Sequence, residues 1–223
     1  PLDIIIEQNK KVNALNMFKE YGLPYISIIK SKKIEEAAKL SAQNRDIQDL
    51  WIPFFAPATD LTNSKLILFE DGALWEAIRA SGALPGIVLP HFKNNNILVD
   101  GGLMNNLPVD IMRNKYGGKI ICSSCEADQS MKTTINGVPS QAKLLFEKLT
   151  NKKKFNQSYG YIPTLTDIIF KTAVVASASQ LEKNIQMSDI FLKLPTSNFG
   201  ITEFNNESMV KLIDLGYIYA KPL

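Results

Sequence analysis

The stretch ILVDGGLMNNLPVD, residues 97–110, holds the side chain best suited to chemistry. Asp100 follows three apolar residues. Its strand is therefore expected to be buried, with the carboxylate at the tip, where ligands bind in open α/β sheets. Gly101 and Gly102 carry no side chains, so the backbone can turn sharply and a partner can come close to the acid. The next helix is expected to start near residues 106–108, with Pro108 suited to its first turn. Its dipole would favour an anion nearby. Two readings fit this local chemistry: an acid that only caps a turn, and a carboxylate that works in a site.

Other reactive residues offer less. His91, the one histidine, suggests a Ser-His-Asp triad with Asp100, but LPHFKNNN reads as a polar hairpin end with nothing to orient the ring. Ser81 in RASGALPG invites a nucleophile reading. A nucleophile elbow needs G-x-S-x-G, and Arg79 stands two positions before Ser81, too bulky for that strained turn. The segment reads instead as a helix C-terminus, with no oxyanion donors aimed at the hydroxyl. No G-x-S-x-G and no G-x-x-x-x-G-K-[ST] phosphate loop occurs in the chain. Asp110 falls in the first turns of the expected helix, where an acid is favoured anyway. No second deep acid stands out as a partner for glycoside cleavage. Cys122 and Cys125 form CSSC after the apolar GGKII, the end of an expected buried strand rather than the helix N-terminus that activates redox thiols. Two thiols cannot make a four-thiolate zinc site.

The elements that must position these residues alternate between strand and helix. Strands are expected at 2–6, 24–30, 51–61, 65–70, 97–100, 119–124 and 189–194. Helices are expected at 10–22, at 31–43 with Ser31 as its cap and acids in its early turns, and at 73–86, ended by Gly82 and Pro85. Further helical segments are expected near 139–150, 164–185 and 206–220. The polar TNS between 51–61 and 65–70 predicts a hairpin. Residues 126–138 read as a long loop. The basic, aromatic 151–161 reads as a solvated connector or as a patch touching anionic headgroups. This alternation argues for an α/β layered fold with a mixed sheet.

The 223 residues are 45% hydrophobic and 21% charged, an ordinary globular composition, and the net charge of +3 lacks the basic stripe of a nucleic-acid binder. No apolar run reaches the roughly 18 residues needed to span a bilayer. No signal peptide is visible, and a cytoplasmic or membrane-peripheral location is expected. The opening PLDIIIEQ, without Met and straight into an apolar strand, is expected to belong to a piece of something longer.

Residues 47–113, from IQDLWIPFF through LWEAIRASGALPG to VDGGLMNNLPVDIMR, closely resemble the patatin-like phospholipases. Within them they look most like the branch of neuropathy target esterase and its bacterial relatives. The matching features are the LWIPF strand, the LT turn, the LWEAIRAS…LPG helix, and VDGG followed by NNLPVD. PYISIIKSKKIEEAAKL upstream, and LEKNIQMSDIFLKLP and LIDLGYIYA downstream, extend the match over most of the chain.

The resemblance implies a layered α/β/α fold with a mixed central sheet, of which residues 1–223 are the C-terminal portion of a single catalytic domain. The N-terminal strands and the nucleophile segment are expected upstream of residue 1. It implies hydrolysis of phospholipid or lysophospholipid esters by a Ser–Asp dyad, with Asp100 as base and Gly101 and Gly102 completing its motif. A serine in a G-x-S-x-G elbow and a glycine-rich oxyanion loop would complete the site. Alone, this chain is then expected not to turn over esters at an enzyme-like rate, and to expose an apolar sheet edge. No cofactor or metal is implied. Peripheral membrane contact fits the substrate, and oligomeric state stays open. Leu103 and Met104 fit either an acyl channel or plain core. A non-catalytic binding module that kept the fold is the alternative.

Overall fold

A computed structural model describes residues 31–125, 165–196 and 206–221, together with Glu7, Ser140, Leu149, Thr150 and Pro163. The expected strands at 2–6 and 24–30, the helix at 10–22 and the loops at 126–138 and 151–161 lie outside the described residues, as does nearly all of 139–150. The described elements run α1 (Ser31–Ala42), a 3-10 turn (Ile47–Asp49), β1 (Ala56–Asp60), β2 (Lys65–Phe69), α2 (Leu74–Ser81), β3 (His91–Lys93) and β4 (Asn96–Asp100). They continue with α3 (Gly102–Asn105), α4 (Val109–Tyr116), β5 (Ile121–Ser124), α5 (Leu165–Gln186), β6 (Ile190–Lys193) and α6 (Asn206–Ala220).

The chain is α/β, and its described strands pair in both senses. Four form an antiparallel sheet in the order β2-β1-β4-β3, and β5 pairs parallel with β6. The β1–β2 hairpin closes as expected around its polar loop. Asp60, fully buried at the end of β1, accepts N–H bonds from Thr62 at 2.9 Å and Asn63 at 3.2 Å, and one from the Asn63 side chain at 2.7 Å. These bonds, led by the Asn63 side chain, hold its carboxyl below the usual aspartate value. The β3–β4 hairpin turns on Asn94 and Asn95, at φ 50° and 63°. Two central residues at positive φ make the tight turn whose twist matches the strands, and asparagine tolerates that conformation.

Alternation along these strands sorts one face of the sheet. Ala56, Ala58, Ile67, Phe69 and Leu98 share it and pack under Ala77 and Ala80 of α2, with Ile47 at the margin. A helix that offers alanines lets its backbone approach the sheet closely. Leu98 is 2% exposed at the centre of this cluster. Leu98→Ala is expected to lower the unfolding free energy by about 2–5 kcal/mol, read from denaturant titration. A second cluster joins the later elements: Leu107, Val109, Ile120 and Cys122 pack with Leu181, Ile185 and Phe191. Asp189 ties β5 to β6 by accepting from Ile120 N–H at 2.8 Å and Arg113 at 2.7 Å.

Two local expectations are corrected, and a third holds. The strand expected from Trp51 begins at Ala56, and Trp51 is fully exposed. Pro53 has no N–H for a ladder, so the aromatic run before Ala56 has the composition of a strand without its hydrogen bonds. The helix expected from about Leu107 begins at Val109, and a separate single turn, Gly102–Asn105, precedes it. Helix α1, described from Ser31, carries acids in its early turns as expected, and Glu35 pairs with Lys39 at 2.5 Å.

Candidate active site

Asp100 is the last residue of β4, as the sequence indicates. It pairs with Ala58, so its side chain shares the sheet face covered by α2. Its backbone leaves the ladder here. The N–H donates to Ala83 O at 3.0 Å, just past the end of α2, and the carbonyl accepts from the Thr59 hydroxyl at 2.9 Å. Both main-chain groups of a residue at a strand end are thus satisfied, which fixes where the side chain leaves the backbone.

The carboxylate is half-buried. Gly102 N–H donates to its Oδ1 at 2.7 Å, and among the described residues no donor reaches Oδ2. Burial holds the carboxyl above the ordinary aspartate value, while the Gly102 N–H pulls the other way. An acid that merely capped a turn would be lowered by its bonds, as Asp60 is. The two aspartates differ in which cause prevails: hydrogen bonds lower Asp60, and burial raises Asp100.

The glycines are needed for space rather than for dihedral freedom. Gly101 sits at φ −65° and ψ −24°, open to any residue. A Cβ there would lie 2.4 Å from the Pro57 carbonyl oxygen and 2.6 Å from its carbon. What approaches Gly101 is therefore the start of β1. A Cβ on Gly102 would lie 2.9 Å from Asp100 Oδ1 and 2.8 Å from Asn106 Oδ1. A side chain at 102 would push directly on the carboxylate.

The other candidates fall away from the acid. His91 opens β3 and packs its half-buried ring edge-on to Trp75, with centroids 6.2 Å apart. Burial lowers its pKa, and the acids whose charge reaches it are Glu76 and Glu35. No imidazole–carboxylate pair with Asp100 forms. Ser81 ends α2, and among the described residues no hydroxyl donates to the Asp100 carboxylate. Arg79 is 5% exposed and clasps the loop ahead of β3 through Nη2 to Leu89 O at 2.6 Å. Cys122 packs inside the second cluster, where burial raises its thiol pKa, and Cys125 is exposed; neither is in a disulfide. Leu103 is half-buried and Met104 exposed, so neither belongs to a core cluster. Among the described residues no group of three or more histidine, cysteine and acidic side chains could hold a metal ion.

Sequence reasoning missed a set of amides behind the acid. Asn105, Asp110, Gln180 and Asn184 are joined by side-chain hydrogen bonds of 2.8 to 3.4 Å. Asp110 is engaged in this set, accepting from Asn105 and Gln180. The paired asparagines of NNLPVD were visible; the α5 partners carry no local signal, because nothing in LEKNIQ marks a buried asparagine.

The strand-tip aspartate and the glycine N–H that meets its carboxylate form a candidate site at the edge of an α/β domain. Residues 23–113 match the family described as patatin-like phospholipase. Lysophospholipase NTE1 of Meyerozyma guilliermondii is 31% identical over 179 residues, covering 80% of this chain and 12% of that protein. Patatin-like phospholipase domain-containing protein 6 of Homo sapiens is 32% identical over 187 residues, covering 80% and 13%. Neuropathy target esterase sws of Drosophila melanogaster is 29% identical over 202 residues, covering 89% and 14%. The chain belongs to the patatin-like phospholipases. Its relatives place it in the neuropathy target esterase branch, and it spans about an eighth of the length of those curated relatives.

Proposed function

We propose that this chain supplies the general base of a lipid acyl hydrolase acting through a Ser–Asp dyad on phospholipid or lysophospholipid esters. The carrying observation is the condition of Asp100: half-buried, with its pKa raised, Oδ1 held by Gly102 and, among the described residues, no donor on Oδ2. The serine comes from outside these 223 residues, which hold no G-x-S-x-G. The names of the relatives, phospholipases and lysophospholipases, support the substrate class.

The chemistry follows from the carboxylate. The serine hydroxyl gives its proton to Oδ2 as its oxygen attacks the ester carbonyl. The tetrahedral adduct collapses, the C–O bond to the alcohol breaks, and the alcohol leaves with the proton from Asp100. Water then gives its proton to the same carboxylate and attacks the acyl-serine; the acyl C–O bond to serine breaks, the serine oxygen takes the proton back from Asp100, and the fatty acid is released. An ordinary carboxylate, with pKa ~4, is a weak base toward a hydroxyl. Burial strengthens it, and placement within about 3 Å makes the transfer direct. Such a base contributes about 10²–10⁴ in rate. Oxyanion donors, at roughly 10²–10³ each, must come from the serine's own segment.

The test is the pH dependence of kcat/KM in the full-length protein with a lysophospholipid. The base works deprotonated, so the rate should rise with pH through the Asp100 pKa and then level. The limb should lie above the ordinary aspartate value of ~3.9 and be unmoved by His91→Gln. A limb near ~6.5 that vanishes with His91→Gln would overturn the reading.

A further inference from the structure

Helix α3 is a single turn, Gly102–Asn105, closed by bonds from Asn105 N–H at 2.9 Å and Met104 N–H at 3.1 Å to Gly101 O. One isolated turn is not stable by itself, because nucleating a helix fixes several residues for one hydrogen bond. Yet this turn carries the Gly102 N–H that orients Asp100 Oδ1. Something beyond the turn must hold it.

The holding group comes from 79 residues further along the chain. Asn184 of α5 donates from Nδ2 to Asn105 Oδ1 at 2.9 Å and to Leu107 O at 2.6 Å. Asn105 Nδ2 donates to Asp110 Oδ1 at 2.8 Å, and Gln180 Nε2 reaches Asp110 Oδ2 at 3.2 Å and Asn184 Oδ1 at 3.4 Å. Asn184 is fully buried and Asn105 5% exposed. Buried amides are costly unless paired, so this set has one arrangement it can keep. That arrangement grips both ends of the link between α3 and α4: Asn105 before it and Asp110 after it.

We infer that Asn184, acting through Asn105, is the positioning residue of the Asp100 carboxylate. Helix α5 fixes the turn, the turn fixes the Gly102 N–H, and that N–H fixes Oδ1 and thereby aims Oδ2. The inference rests on the dyad reading above. Asn184 touches no reacting atom, and its effect is on the geometry and pKa of the base.

The experiment uses the full-length protein with a lysophospholipid, and compares Asn184→Leu, Asn105→Leu, the double variant and Asp100→Asn. Asn184→Leu should lower kcat by about 10–100-fold with KM within about 2-fold, since a base displaced by an ångström loses rate without losing substrate. Loosening the Gly102 bond removes the interaction that lowers the Asp100 pKa, so the acid limb should move to higher pH. Asn105→Leu in the Asn184→Leu background should add little, because the two act as one unit. Wild-type kcat and an unmoved limb in folded Asn184→Leu would overturn the inference. If Asn184→Leu does not accumulate folded, Gln180→Leu, at a half-buried position, carries the test: kcat should fall about 3–10-fold with the limb shifted the same way, and an unshifted limb overturns the inference. The two readings fail separately. An active Asp100→Asn removes the dyad and this inference with it. An inactive Asp100→Asn beside a wild-type-like Asn184→Leu removes only the positioning role.

Discussion

Asp100→Asn is expected to lower kcat of the full-length protein toward a lysophospholipid by about 10³-fold, within the range for removal of a positioned base. It should do so without unfolding the protein. The amide keeps the volume of the acid, and its carbonyl oxygen can still accept the Gly102 N–H now made to Oδ1. Linkage gives the sign of the stability change. Burial raises the Asp100 pKa in the folded protein, so the folded state binds that proton more tightly than the unfolded state does. The stability gained by holding the proton is complete below the unfolded value of about 3.9 and is lost as pH rises through the folded pKa. The wild type therefore loses stability relative to the variant as pH rises through that pKa. The thermal midpoint of Asp100→Asn at pH 7 should equal or exceed that of the wild type, and the gap should widen from pH 4 to pH 8. A variant that kept more than about a tenth of wild-type kcat would remove Asp100 as the base.

Gly101→Ala is expected to destabilise the fold more than any other single-methyl change at the motif. The methyl would press on the carbonyl of Pro57 at 2.4 Å, and that carbonyl is backbone that cannot rotate aside. Relief requires β1 to move from β4, where Ala58 faces Asp100. Overpacking of this kind costs about 1–3 kcal/mol, and more where main chain must shift. The smaller entropy of an unfolded alanine returns only about 0.4–1 kcal/mol. The net loss should appear as a lower denaturant midpoint with an unchanged slope. Gly216→Ala in α6 is the control: nothing lies within 4 Å of its added Cβ, and the substitution should stabilise by up to about 1 kcal/mol. A Gly101→Ala protein as stable as wild type would mean that β1 and the motif are not packed as described.

The acid and its strand were legible because the signals are local. Three apolar residues before Asp100, asparagines before the strand and glycines after it each dictate what their neighbours do. The hairpins were legible for the same reason. The single turn of α3 was not, since Pro108 offers an obvious helix start and nothing in GLMN announces a helix. Its partner Asn184 lies 79 residues further along the chain, beyond the reach of any local signal. The aromatic run at 51–55 misled in the opposite way, with strand composition but a proline, Pro53, in its middle. Cys122 sits on a strand whose neighbours Ile121 and Ser123 are exposed, so alternation, rather than burial on both faces, decides its surroundings.

Asp100 is tied to the molecule by its amide at Ala83, its carbonyl at Thr59 and its carboxylate at Gly102, with the backbone of Pro57 pressed against the next residue. All but the glycine contact come from other stretches of the chain and meet Asp100 only after folding. The tripeptide is therefore not portable. Grafted onto the strand end of an unrelated scaffold, Asp-Gly-Gly would bring the glycine contact and leave behind the other three, and with them the direction in which the acid points.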